Sequence, residues 1–160
     1  MSRWLFFIGL FFLLVTFNIQ SQDIKTIDEK GLTGLLKNRN SKVLFVNFWA
    51  TWCVPCREEF PDIVKLAKNF PKVEFVAVSL DHLDEIKSKI EPFLKKMKVP
   101  FKNYVAKFKD DQVLIEMINK DWNGAIPATA IYSSNGKQVG FYPKKMSYKE
   151  FEKELKNVIK

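Results

Sequence analysis

The chain has 160 residues and a formal net charge of +8, from 26 Lys and Arg against 18 Asp and Glu. Its lysines are scattered and form no basic stripe with stacking aromatics, which argues for solubility and acidic partners and against a nucleic-acid-binding module. Two cysteines, Cys53 and Cys56, and one histidine, His82, exclude a disulfide-stapled scaffold and fall short of the four ligands of structural zinc.

Residues 1–21 read as a targeting segment. Arg3 supplies the positive start, Trp4 to Phe17 is a largely apolar run, and Ser21 is a small residue at the cleavage position, although Ile19 before it is bulky. The run is short against the roughly twenty residues that span a bilayer. Removal of a signal peptide is the expectation, leaving residues 22–160 as one soluble domain in the periplasm or another extracytoplasmic space. An uncleaved N-terminal anchor is the alternative. An oxidising compartment keeps an idle cysteine pair closed, and a domain with no other cysteine does not depend on disulfides for its fold.

Asp23–Ile27 predicts a first strand and Lys30–Lys37 a short helix. Val43–Ala50 is β-branched and aromatic, the pattern of a buried central strand. From Cys53 to Phe70 apolar residues recur at helical spacing. Cys53-Val54-Pro55-Cys56 therefore sits at the mouth of a strand–helix junction. The first sulfur meets unpaired N–H groups and the positive end of the helix dipole, which favour a thiolate. The second lies nearly one turn on and can close a disulfide with it. So short a loop removes little unfolded-state entropy, so a purely structural staple explains the pair poorly. The other reading is a Cu(I) metallochaperone using the same soft ligands, which His82 joins only if its loop folds back. Glu59, three residues after Cys56, shares nearly the same helix face, while Glu58 points elsewhere.

Val73–Ser79 predicts another strand. Leu83, Ile86, Ile90, Phe93, Leu94 and Met97 recur at helical spacing, with Pro92 kinking or splitting that helix. Phe101–Val105 reads as an inserted strand and Asp110–Ile118 as a helix capped by Asp110 or Asp111. Ala128–Tyr132 and Val139–Tyr142 form a hairpin around Asn135-Gly136. The last helix opens with the capping box Ser147/Glu150 and is expected to bury Tyr148, Phe151, Leu155, Val158 and Ile159.

Four blocks carry a resemblance: Phe48 through Cys56, Pro61, Ile126-Pro127-Ala128-Thr129, and Asn135-Gly136-Lys137. Together they resemble the thioredoxin superfamily, and within it the extracytoplasmic TlpA/ResA-like thiol–disulfide oxidoreductases, over most of the chain after its first twenty or so residues. The resemblance implies an α/β thioredoxin fold, a central mixed β-sheet flanked by helices. It also implies an insertion between the βαβ half and the cis-proline hairpin half, in the long segment from Ser79 to Pro127. Cys53 becomes the exposed nucleophile and Cys56 the buried resolving thiol, the asymmetry that exchange chemistry needs. Pro127 becomes a cis-proline facing the pair, presenting the backbone of Ile126 to an extended substrate; the bare sequence favours an ordinary trans turn.

Glu59 matches a glutamate associated in that group with the proton chemistry of the pair. Neutral Asn47 stands where cytoplasmic thioredoxins place an aspartate, which adds weight to Glu59. Trp49 is expected in the core, and Trp52 either there or exposed as a substrate-docking surface. Trp122 lines the same groove or anchors the core. Ala50 occupies the position where a peroxiredoxin signature wants Thr or Ser, which weakens a peroxidase reading.

The function implied is an exported thiol–disulfide oxidoreductase with no metal and no cofactor beyond the redox-active disulfide Cys53–Cys56. Val54 and Pro55 bring neither charge nor side-chain donor to the Cys53 thiolate, which inclines the reading towards a reductant. The implied partners are thiols and disulfides of exported proteins, apocytochrome c among them, and a membrane electron donor. The expected state is a monomer that binds no nucleic acid.

Overall fold

The structure, a computed structural model, describes residues 24–37 and 41–159. The predicted targeting segment, residues 1–21, lies outside the described residues, as does Asp23 of the first predicted strand.

In chain order the strands are β1 Lys25–Ile27, β2 Val43–Trp49, β3 Val73–Ser79, β4 Lys102–Ala106, β5 Ala128–Tyr132 and β6 Gln138–Tyr142. The helices are α1 Glu29–Lys37, α2 Val54–Asn69, α3 Glu91–Met97, α4 Asp111–Ile118 and α5 Tyr148–Val158. The strands form one mixed sheet in the order β1-β4-β3-β2-β5-β6. The first four in that order run parallel, and β5 and β6 are antiparallel to their neighbours. This is the thioredoxin-type arrangement that the resemblance implies, a βαβ half and a hairpin half. The insertion is no appendage: its strand β4 lies between β1 and β3.

All seven residues of β2 are buried, because helices cover both faces of the sheet at this strand. Leu44, Val46 and Phe48 pack with Leu32 of α1 and with Leu114 and Ile118 of α4. Val43 and Phe45 pack on the other face against Ile63 and Leu66 of α2 and Phe151 and Leu155 of α5. Trp49 meets Phe60 of α2 and Leu94 of α3 on that same side. The period of two along a strand then aims Asn47 towards α2 as well.

Pro92 splits its helix as expected, and more sharply than a kink. A 3-10 turn at Leu83–Glu85 leads into a π-helical stretch at Ile86–Ile90, and regular α3 begins only at Glu91. Pro92 has no N–H to donate and its ring crowds the carbonyl one turn back, so the preceding turn widens. The β5–β6 hairpin turns at Gly136, whose φ of 102° suits glycine.

Helix α5 has the predicted capping box, with the Ser147 N–H and hydroxyl both donating to Glu150 Oε2 at 2.7 Å. Phe151 and Leu155 are fully buried, and Tyr148 and Val158 are half-buried. Ile159 departs from expectation. The helix ends at Val158, and Ile159 beyond it is 38% exposed. Phe151 meets Phe45 edge-on at 5.1 Å between ring centroids, and its truncation leaves a cavity that the sheet cannot close. Phe151→Ala is expected to cost about 3–5 kcal/mol, read as a lower urea midpoint with an unchanged slope.

Candidate active site

The site begins where β2 ends. The Cys53 N–H donates to the Ala50 carbonyl at 3.2 Å, closing a tight turn, and Pro55 sits in the first turn of α2, where a missing N–H costs nothing. Cys53 is the N-cap of α2, in extended backbone, and its sulfur accepts the Cys56 N–H at 3.2 Å. Cys53 and Cys56 are joined as a disulfide of 2.01 Å. On reduction, that N–H and the helix dipole both favour negative charge on the Cys53 sulfur. Cys56 points inward at 1% exposure. Cys53 is not the openly exposed cysteine expected, at 6%. Exposure at the site belongs instead to Trp52 and Val54, at 62% and 51%.

The Ile126–Pro127 bond is cis, as the resemblance implies. The Cys53 sulfur lies 3.7 Å from the Ile126 carbonyl oxygen. In the oxidised pair that sulfur carries no hydrogen, so this is a contact; the reduced thiol has a proton to donate there. The Trp122 indole N–H holds the Ala125 carbonyl at 2.9 Å, and Asn123 Oδ1 accepts the Ala125 N–H at 3.0 Å. The Trp122 ring packs on Phe48 at 5.2 Å. At 4% exposure Trp122 is a core anchor for the loop before Pro127.

One turn along α2 from Cys56 lies a buried polar group. Glu59 is 1% exposed, and its two oxygens accept from Asn47 Nδ2 at 3.0 Å and from the Met146 N–H at 2.6 Å. Burial pushes the Glu59 carboxyl from 4.5 up to about 7. The Met146 and Asn47 hydrogen bonds and the charge of Lys145 oppose that rise, and Asp62 adds slightly to it. Asn47 Nδ2 also donates to Thr129 Oγ1 at 3.1 Å, across the β2–β5 pairing. Asn47 Oδ1 has no hydrogen-bond partner. Glu58, by contrast, is exposed and paired with Lys145 at 2.5 Å, and that bond holds its carboxyl below the usual range.

Two features of this region carry no signal in the motif. Met146 contributes only its backbone N–H, which no side-chain pattern reveals. Asp81, two residues beyond β3, is 3% exposed and binds the loop before Cys53; its one available signal is an acid shortly after a buried strand. His82 is exposed, with its N–H turned to Glu85 in its own turn. Among the described residues no three His, Cys, Asp or Glu side chains cluster to hold a metal, and no helix is long and apolar enough to cross a membrane.

Comparison with known proteins agrees with this fold. The model of the AhpC/TSA family matches residues 14–138. The thiol-disulfide oxidoreductase ResA of Geobacillus kaustophilus is 30% identical over 138 residues, covering 85% of this chain and 74% of that protein. The crystal structure of a thioredoxin-family thiol:disulfide interchange protein from Chlorobium tepidum superposes with a TM-score of 0.65 at 25% identity, over 80% of this chain and 85% of that one. A secreted Mycobacterium tuberculosis disulfide oxidoreductase homologous to E. coli DsbE shares the fold. It gives a TM-score of 0.58 at 24% identity, over 74% of this chain and 83% of that one.

Proposed function

Because this chain belongs to the AhpC/TSA family and is a thiol–disulfide oxidoreductase of the ResA kind, we propose that it reduces disulfides of exported proteins. The observation that carries the direction is the buried carboxyl of Glu59, one helical turn after Cys56. A cysteine pair is oxidising when its reduced form is stabilised, chiefly as a low-titrating thiolate. An ionised acid buried one turn along the helix from the pair works against that thiolate. Val54 and Pro55 offer no charge or side-chain donor to offset it.

Location and partners complete the reading. Residues 1–21, removed as a signal peptide or kept as an anchor, deliver residues 22–160 to an extracytoplasmic space, and the secreted Mycobacterium relative supports export. The substrates are disulfides of exported proteins, with apocytochrome c among them. Electrons come from a membrane donor, and the protein acts as a monomer.

The test is the redox state of Cys53 and Cys56 in cells, read by thiol alkylation with and without the donor. The pair should be mostly reduced while the donor is present and oxidised when it is deleted. In redox buffers it should titrate nearer the about −270 mV of thioredoxin than the about −120 mV of a strong oxidant. A pair mostly oxidised beside an intact donor would mean an oxidase or an idle disulfide. The purified protein should also reduce insulin with dithiothreitol and no copper. Stoichiometric copper without that activity would make it a metal chaperone.

A further inference from the structure

The turn that delivers Cys53 is gripped from outside the motif. With the Cys53 N–H on the Ala50 carbonyl, Thr51 and Trp52 are its central residues. The Thr51 N–H reaches both carboxylate oxygens of Asp81, at 2.9 and 3.2 Å, and the Thr51 hydroxyl donates to Oδ1 at 2.5 Å. The Ser79 hydroxyl donates to Oδ2 at 2.6 Å and accepts the Asp81 N–H at 3.0 Å. Alongside, the Leu80 N–H donates to the Trp49 carbonyl at 2.8 Å. A carboxylate at 3% exposure is costly unless its oxygens are satisfied. Here three donors satisfy it, and two of them belong to Thr51.

We propose that Asp81 is the positioning residue of the nucleophile: its carboxylate grips Thr51 and so fixes the turn that sets the Cys53 sulfur against the Cys56 N–H. This rests on reading the pair as a thiol–disulfide exchange site, and is independent of the direction of electron flow. The sulfur reaches that N–H at 3.2 Å because Cys53 is held in the extended N-cap conformation, with φ −82° and ψ 104°. A loosened turn takes the sulfur away from its donor, so the thiol titrates higher and reacts more slowly near neutral pH. Removing the Asp81 charge alone acts the other way, since a nearby anion disfavours a thiolate. The two effects separate by substitution. The neighbouring charges stay in place in every variant: Asp62 and Lys145 beside Glu59, and Lys89 beside Asp81, Asp84 and Glu85.

The experiment follows alkylation of reduced Cys53 against pH in the full chain, beside thermal unfolding. Asp81→Ala, which loses grip and charge together, should slow alkylation at pH 7 by about tenfold and raise the midpoint by about one pH unit. Asp81→Asn keeps an acceptor for the Thr51 N–H and should recover to within about threefold of wild type. A folded Asp81→Ala with the wild-type pH profile overturns the proposal and leaves Asp81 a stabilising residue only. Should that variant fail to fold, Thr51→Ala decides at a half-buried site. It removes one bond of the grip, and an alkylation profile matching wild type overturns the proposal equally. Wild-type protein inactive on insulin would defeat the exchange reading instead, so the two failures are distinguishable.

Discussion

Cys53→Ala is expected to abolish disulfide reduction, by at least about 1,000-fold, and Cys56→Ala to stop turnover while accumulating mixed disulfides with partner proteins. Cys53 alone caps α2 and holds the Cys56 N–H against its sulfur. On the assignment of Cys53 as nucleophile, its thiolate attacks one sulfur of the substrate disulfide and the other leaves as a thiolate that takes a proton from solvent. The Cys56 thiolate then attacks the Cys53 sulfur, releases the second substrate thiol and regenerates the Cys53–Cys56 bond. Removing Cys56 deletes that second attack, so the intermediate persists on non-reducing gels. Removing Cys53 deletes the first, and nothing is trapped. Traps that form equally from either variant, or only from Cys53→Ala, overturn the assignment. The low exposure of Cys53 bears on which partners succeed. A substrate must reach a sulfur flanked by exposed Trp52 and Val54, which favours extended segments able to lie along the Ile126–Pro127 loop.

The elements around the pair were legible because their patterns are local. The apolar run of β2, the helical period of α2 and the Asn135-Gly136 turn each state their own conformation within a few residues. Glu59 was half legible. Its offset from Cys56 fixes a helix face, but its burial depends on Asn47 of β2, 12 residues earlier, and on a Met146 N–H 87 residues away. Asp81 was not legible, since its partner Thr51 lies 30 residues off in sequence and a lone acid after a strand usually means a solvated loop. Ile159 shows the converse error. The helical period that buries Phe151 and Leu155 extends through it, but the helix stops one residue earlier.

Glu59→Gln is expected to flatten both the stability and the activity of the protein against pH. Burial raises the Glu59 carboxyl from 4.5 to about 7. The folded chain therefore keeps this proton across that window while the unfolded chain has lost it, so wild-type stability falls as pH rises from 4.5 to 7. Above the window the buried charge costs about 3 kcal/mol, and the glutamine variant should lose that slope in urea titrations. Activity moves the other way. On the reading that ionised Glu59 takes the Cys56 proton when Cys56 attacks the mixed disulfide, its charge also holds back the Cys53 thiolate. Glu59→Gln should thus slow turnover above pH 7 by about 100-fold and move the Cys53 alkylation curve to lower pH. Glu58→Gln, at an exposed residue paired with Lys145, should change neither. If wild type and Glu59→Gln share one alkylation curve and one turnover rate, the buried acid is a packing residue and the pair moves its protons through solvent.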